Sequence, residues 1–241
     1  MAQDALGKKR GIADIVILVD ASGSMASCLD ALKNNIGVLV DTMVNPGANA
    51  EPAVKDWRIK VCGYRDAKAD GSAWWEENPF TNDVSQVRAD LSRIEAKGGG
   101  DEPESLLDAL WKLAKMPSAP NTGDYADANS WRHRHDAARC VIVFTDASCH
   151  MVTSIPEAGG ATFDDVVREI MSNKLRLSIF CPETDCYLAL SEIDKSEVEF
   201  VGTLSDAIEK MDEFTRDIEK FRKTMQQIAK SISLSAETPL L

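Results

Sequence analysis

Residues 14–24 read Asp-Ile-Val-Ile-Leu-Val-Asp-Ala-Ser-Gly-Ser and give the clearest indication of the fold. The first part of this stretch is a continuous β-branched and aliphatic run, typical of a strand covered on both faces of a sheet. The loop that follows places the carboxylate of Asp20 and the hydroxyls of Ser22 and Ser24 at alternate positions. These hard oxygen donors suit Mg²⁺ or Mn²⁺ better than zinc. Because open α/β sheets bind ligands at the carboxyl ends of their strands, the stretch predicts a cation site there.

Apolar strands alternate with helical patterns along the rest of the chain. This alternation predicts an α/β fold, a doubly wound, mainly parallel open sheet in three layers. The predicted strands are 14–19, 57–64, 139–145, 175–181 and 198–201, and a further segment, 74–80, is expected to pair antiparallel at an edge. The predicted helices are 25–43, 84–96, 103–115, 162–173, 184–193 and 204–233. Pro103 is expected at a first helical position, where its missing N–H group costs nothing.

The chain divides into an N-terminal tail (1–11), one domain (12–203) and a long amphipathic C-terminal helix with a tail (204–241). Apolar residues recur along the C-terminal segment at spacings of three and four, the period of one helix face. They are Leu204, Ile208, Met211, Phe214, Ile218, Phe221, Met225, Ile228 and Ile232. Two interpretations stay open: the first half packs on the sheet, or the second half projects and pairs with another helix or subunit.

Composition excludes several classes of function. The 241 residues carry a formal net charge of −12, which argues against a general nucleic-acid binder, since phosphate binding needs an excess of Lys and Arg. No apolar run approaches the ~18 residues of a membrane span, and the N-terminus lacks a signal-peptide pattern. We therefore expect a cytoplasmic protein with neither membrane nor nucleic-acid partners. The six cysteines are expected to stay reduced.

Three loops supply the candidate ligands of a divalent cation. The first is the loop after the strand of residues 14–19, the second is the glycine-rich segment 98–104 (Gly-Gly-Gly-Asp-Glu-Pro-Glu), and the third follows the buried strand that ends at Thr145. Brought to one rim of the sheet, they would provide oxygen donors for octahedral Mg²⁺ with some retained waters. The predicted metal ligands are Asp20, Ser22, Ser24, Asp101 and Asp146.

Asp20-Ala-Ser-Gly-Ser24 resembles the D-x-S-x-S signature of von Willebrand factor type A domains, which opens a metal-ion-dependent adhesion site (MIDAS). The resemblance implies a doubly wound sheet and a bound Mg²⁺, with Mn²⁺ or Ca²⁺ as the other candidate ions. In that family two serines and a threonine contact the metal, and two aspartates complete the site, usually through water. An acidic residue of a partner protein fills the open position. Asp20, Ser22, Ser24 and Asp146 match this pattern.

The threonine of the family pattern has no match, and the glycine-rich loop offers Asp101 in its place. A subset of bacterial and alpha-kinase-linked domains carries a similar loop, together with segments like 63–66 (Gly-Tyr-Arg-Asp) and 146–150 (Asp-Ala-Ser-Cys-His). A carboxylate here strengthens cation binding but offsets the charge of the cation, so a carboxylate of a partner would be held less tightly. Arg65 and Asp66 are interpreted as a structural ion pair near the rim, or Asp66 as an acceptor behind the metal ligands.

The resemblance implies a non-catalytic protein-interaction module, with partners in kinase, phosphatase or ATPase assemblies. One alternative is a metal-dependent phosphohydrolase or transferase that uses Asp20 or His150, although Ser22 breaks the D-x-D pattern of haloacid-type phosphatases. Another is an oligomerisation scaffold built on the helix of residues 204–233. The polar cluster 133–136 is interpreted as a solvated loop, with metal binding as the alternative.

Overall fold

The computed structural model describes residues 11–44, 54, 56–100, 102–120 and 127–237. The described residues form six strands: β1 Ile12–Asp20, β2 Asp56–Tyr64, β3 Trp75–Glu77, β4 Ala138–Phe144, β5 Leu175–Glu183 and β6 Ser196–Thr203. They also form eight α-helices: α1 Ala26–Val44, α2 Ala67–Asp70, α3 Val84–Arg93, α4 Leu106–Lys115, α5 Phe163–Ser172, α6 Asp185–Ser191, α7 Ala207–Arg216 and α8 Ile218–Glu237.

The strands form one sheet in the order β3-β2-β1-β4-β5-β6. β3 pairs antiparallel with β2, and every other pairing is parallel. The predicted doubly wound α/β fold and its antiparallel edge strand are confirmed. The chain leaves β1 towards β2 on one side and returns to β4 on the other, so the strand order reverses between β1 and β4. This reversal opens a crevice at the carboxyl ends of those two strands.

Side chains of β1 alternate between two hydrophobic cores, one on each face of the sheet. Ile15 and Ile17 belong to the core that also contains apolar residues of α1, α3, α7 and α8. Val16 and Leu18 belong to the core formed with α4, α5 and α6. All four side chains are at most 1% exposed, which explains why the strand reads as a continuous apolar run. The sheet is therefore the middle layer of three.

Helix α4 begins at Leu106, so the expectation that Pro103 occupies a first helical position is wrong. Glu104 instead bridges to the loop after β4: its N–H donates to Ser148 O at 3.0 Å, and its carbonyl accepts from His150 N at 3.1 Å. Because these backbone groups are used between loops, they are not available to a helix. The result is that the segment before α4 is held against the carboxyl end of β4.

The structure divides the predicted C-terminal helix of residues 204–233 into α7 and α8, so the prediction of one continuous helix is wrong on this point. Asp217 has an extended backbone (φ −73°, ψ 91°), and its carboxylate accepts from Lys220 N at 3.0 Å at the start of α8. This local hydrogen bond stabilises a new helix start. Phe221 is fully buried and stacks on Phe144 of β4 at 6.3 Å between ring centroids.

The apolar stripe of α8 therefore packs on the sheet of its own chain rather than projecting from it. Its buried members are Phe221, Met225, Ile228 and Ile232. None of the helices in the described ranges is both long and apolar enough to cross a membrane. All six cysteines are buried free thiols.

Candidate functional site

The carboxylate of Asp20 anchors the loop after β1 through hydrogen bonds. It is 0% exposed. Its Oδ1 accepts from Ser22 N at 2.9 Å, and its Oδ2 accepts from Thr145 Oγ1, at the end of β4, at 2.7 Å. Asp20 thus ties the loops that follow the two central strands to each other, at the crevice where the strand order reverses.

Three of the predicted ligands form a continuous polar chain at this crevice. Ser22 Oγ lies 3.1 Å from Ser24 Oγ, and Ser24 Oγ donates to Asp146 Oδ1 at 3.0 Å. Asp146 is 5% exposed, and its second oxygen, Oδ2, is buried without a hydrogen-bond partner in the described part of the chain. The structure therefore brings Asp146 together with Asp20, Ser22 and Ser24, although Asp146 lies 122 residues after Ser24 in sequence. Asp101 lies outside the described residues.

Glu104 is a further carboxylate of this site, which the sequence prediction missed. It is 4% exposed and lines the same cavity of about 270 Å³ as Ser22, Ser24 and Asp146. Its Oε2 is also buried without a hydrogen-bond partner among the described residues. The signal was present in the sequence, because Glu104 closes the glycine-rich segment, but its side chain was expected to lie on a helix rather than in a loop.

The glycine-rich loop approaches the site closely because its residues lack side chains. Gly98, Gly99 and Gly100 all have positive φ angles, with 94° at Gly99. A Cβ atom at Gly99 would lie 2.4 Å from Glu104 Oε1 and 2.5 Å from Ser22 Cβ. Only glycine both adopts this backbone conformation readily and leaves this space open.

Arg65 connects the loop after β1 to the segment that precedes the glycine-rich loop. It is 1% exposed, and its Nε donates to the carbonyls of Ala21 at 3.0 Å and Lys97 at 2.8 Å. Its charge is paired with Glu76 on β3 at 2.6 Å. Asp66 is used elsewhere: its Oδ1 accepts from Ser105 Oγ at 3.1 Å. The expected pairing of Arg65 with Asp66 is therefore replaced by two separate structural contacts.

Buried carboxylates crowd together at the site, and this raises their pKa values. Burial, with the charges of Asp20, Asp66, Asp70 and Asp146, raises the pKa of Glu104 to about 9. Burial and the charge of Asp20 raise the pKa of Asp146 to about 6. Burial also raises the pKa of Asp20, although hydrogen bonds from Ser22 and Thr145 oppose this. A cation placed here would relieve this repulsion.

The oxygen donors of the site are the hydroxyls of Ser22 and Ser24 and the carboxylates of Asp20, Glu104 and Asp146. Within the described ranges, no three or more His, Cys, Asp and Glu side chains are grouped so that they could hold a metal ion. A cation would therefore need the hydroxyls of Ser22 and Ser24 in addition to the carboxylates. Such all-oxygen sets fit Mg²⁺, Mn²⁺ or Ca²⁺. The two unpartnered oxygens, Asp146 Oδ2 and Glu104 Oε2, are the observation that fits a cation at this place.

The groups named for a catalytic alternative have other partners. Both oxygens of Asp20 accept hydrogen bonds inside the protein, and Asp20 is fully buried and does not line the cavity. His150 lies beside Asp66, with Nε2 at 3.3 Å from Oδ1 and Nδ1 at 3.4 Å from Lys68 Nζ. The rings of His133 and His135 stack at 5.0 Å in the turn before β4, at the opposite end of that strand.

Comparison with solved structures identifies similar folds. A von Willebrand factor type A protein from Catenulispora acidiphila matches 86% of this chain with a TM-score of 0.51 and 14% sequence identity. Proximal thread matrix protein 1 from the mussel byssus matches 88% of this chain with a TM-score of 0.51 and 14% identity. The chain spans 43% and 49% of the lengths of these two proteins. No family model matches the sequence, and no curated protein matches it.

These likenesses show the fold. The chain folds as a von Willebrand factor type A domain does, with a mostly parallel six-stranded sheet and helices on both faces. The prediction from the D-x-S-x-S resemblance is confirmed at this level. Metal binding, a partner and the absence of catalysis stay predictions, because at 14% identity the likeness carries nothing about the residues of the site.

Proposed function

We propose that the chain is a non-catalytic protein-interaction module that binds a divalent cation at the crevice between β1 and β4 and receives an acidic group of a partner protein there. The observation that carries the proposal is the pair of buried, unpartnered oxygens, Asp146 Oδ2 and Glu104 Oε2, which lie in one cavity with Ser22 and Ser24. A buried carboxylate oxygen without a hydrogen-bond donor is costly, and a cation that contacts both oxygens would lower this cost.

In this proposal Ser22, Ser24 and Asp146 would hold the ion, and Asp20 would fix the loop that presents the two serines. Glu104 would be a further ligand in its ionised form. The bound Mg²⁺ would supply positive charge at the base of the cavity, where a carboxylate of a partner can reach it. The cavity of about 270 Å³ opens to solvent and has room for an Asp or Glu side chain of a partner.

The cation site is tested by titration calorimetry with Mg²⁺ and Mn²⁺. Ser24 is exposed, so Ser24→Ala leaves the fold intact while removing one ligand and the donor to Asp146. We expect binding to weaken at least about tenfold, equivalent to about 1.4 kcal/mol. Asp194→Asn is the matched control, since Asp194 is exposed in the turn that leads into β6, at the opposite end of the strands. Equal Mg²⁺ affinity in wild type and Ser24→Ala would contradict the site assignment.

The absence of catalysis is tested with a generic phosphate ester in the presence of Mg²⁺. We expect no turnover above background, since Asp20 is enclosed and its oxygens are already hydrogen-bonded. Hydrolysis that needs Mg²⁺ and disappears in Asp20→Asn would contradict the proposal and favour a phosphohydrolase.

A further inference from the structure

Two apolar side chains next to the cation cavity are exposed. Leu204 follows β6 and is 43% exposed, and Ile208 lies in the first turn of α7 and is 53% exposed. Both line the cavity that contains Ser22, Ser24, Glu104 and Asp146. In the sequence they belong to the apolar stripe of the C-terminal segment, but they take no part in the core that buries the later members of that stripe.

The same two side chains also line a second cavity of about 310 Å³. The charged residues that line this second cavity are Asp206, Glu209 and Asp212. One of these charges is offset, because Arg216 Nε donates to Asp212 Oδ1 at 2.8 Å. The nearby Lys210 pairs with Glu213 at 2.9 Å. The second cavity therefore keeps a net negative charge.

Leu204 and Ile208 thus form an apolar ridge between two cavities of different character. On one side lies the proposed cation, which attracts a carboxylate, and on the other side lies a cavity lined by carboxylates, which attracts an ammonium or guanidinium group. We call the cation cavity, the ridge and the acidic cavity together the rim strip. A partner segment that covers Leu204 and Ile208 therefore borders both cavities.

We propose that the partner segment recognised by this chain carries three side chains in spatial order along the rim strip: an Asp or Glu at the cation, an apolar side chain over Leu204 and Ile208, and a Lys or Arg in the acidic cavity. This inference rests on the proposed function and adds the chemistry of the partner to it. The carboxylate alone would make many acidic proteins equivalent ligands. The ridge and the acidic cavity supply the discrimination among them.

The experiment is selection from a random peptide library displayed on phage, carried out on the whole chain in Mg²⁺ and eluted with a chelator. Three variants are selected in parallel: Ile208→Asp on the ridge, Glu209→Lys in the acidic cavity, and Ile218→Asp as the control. Ile218 is 48% exposed at the start of α8 and lines neither cavity. Circular dichroism and a Mg²⁺ titration of each variant verify that fold and cation site are intact.

We expect the wild type and Ile218→Asp to enrich peptides that combine an acidic, an apolar and a basic residue. An enriched peptide should bind Ile208→Asp about tenfold or more weakly, because the new carboxylate removes the apolar contact and repels the acidic residue. Selection on Glu209→Lys should replace the basic residue by an acidic or neutral one.

Three results would overturn the inference, and they separate it from the proposed function. Enrichment of acidic peptides without apolar and basic companions leaves the cation site standing but contradicts the rim strip. If no peptide is enriched in a Mg²⁺-dependent way, the proposed function itself is contradicted. Dimerisation of the wild type in Mg²⁺ that is lost in Ile208→Asp would show that a second copy of this chain, rather than a peptide segment of another protein, occupies the strip.

Discussion

Glu104 lies in an environment very different from that of an ordinary surface carboxylate. It is buried among Asp20, Asp66, Asp70 and Asp146, and its pKa is raised to about 9 from the usual 4.5. The negative charge of its carboxylate can be neutralised either by a proton or by a bound cation. Without a cation the raised pKa favours the protonated form of Glu104 at neutral pH, and in the proposed complex the ionised form would be a ligand.

This environment predicts the pH dependence of stability in a chelator. The raised pKa of Glu104 means that the folded protein holds a proton that the unfolded chain has lost, between about pH 4.5 and 9. The stability due to this proton is fully present below pH 4.5 and is lost as pH rises through about 9. Asp146 adds a smaller loss, which ends near its pKa of about 6. We therefore expect the free energy of unfolding to fall between pH 6.5 and 9, by at most about 1.4 kcal/mol per pH unit.

Urea denaturation over this pH range checks the prediction. Glu104→Gln should flatten the slope, since glutamine carries no titrating proton. Glu102→Gln, two residues away on an exposed side chain, should keep the wild-type slope. A Glu104→Gln protein with the full slope would show that another group is responsible.

Gly99 occupies a position at the site where a residue with a side chain would not fit. Gly99→Ala must adopt a φ of 94° and place its Cβ against Glu104 and Ser22, so we expect a loss of about 2–4 kcal/mol in stability together with weaker Mg²⁺ binding. Gly71→Ala is the control, because Gly71 also has a positive φ but no atom within 4 Å of an added Cβ. Gly71→Ala should cost about 1–3 kcal/mol, from the strain of its backbone conformation alone (φ 53°, ψ −126°), and leave Mg²⁺ binding unchanged. Equal effects in thermal unfolding and calorimetry would contradict the close packing of the glycine loop.

At the scale of elements, the strands could be predicted from the sequence because their burial on both faces makes them continuous apolar runs. The predicted segment 14–19 corresponds to β1, which is longer at both ends, and the predicted segment 175–181 corresponds to β5, which is longer only at its C-terminal end. The break at Asp217 could not be predicted from apolar spacing, since Phe214, Ile218 and Phe221 keep the helical period across it. The structure shows the break in the extended backbone of Asp217 and in the 48% exposure of Ile218.

The positions of the site residues on loops could be predicted only in part. The D-x-S-x-S loop and Asp146 could be placed because each directly follows a buried strand. Glu104 could not, because its position depends on backbone bonds to Ser148 and His150 from another loop. Contacts of this kind between distant segments leave no periodic signal in the sequence.

The packing of α8 on its own sheet predicts the result of a core substitution. Phe221 is fully buried against Phe144, so Phe221→Ala should destabilise the fold by about 3–5 kcal/mol. Ile218→Ala, on the exposed start of the same helix, should change stability by about 0.5 kcal/mol or less. Chemical denaturation measures both. If Phe221→Ala were neutral and instead reduced the mass of the particle in solution, the helix would serve oligomerisation rather than the core.

At the scale of the whole molecule, the topology explains why distant residues meet. β1 and β4 are neighbours in the sheet although they lie more than a hundred residues apart, and the reversal of strand order leaves their carboxyl ends accessible. The chain also carries a formal charge of −12, so a bound cation reduces the repulsion of a surface that is already acidic. The fold therefore places the crevice between β1 and β4 where the proposed divalent ion would bind.

The most direct test of the cation site is a crystal structure grown with Mn²⁺, with data collected at the manganese absorption edge. We predict an anomalous density peak within about 2.5 Å of Ser22 Oγ, Ser24 Oγ and a carboxylate oxygen of Asp146. No peak at this crevice under saturating Mn²⁺, or one that lies only elsewhere, would contradict the account.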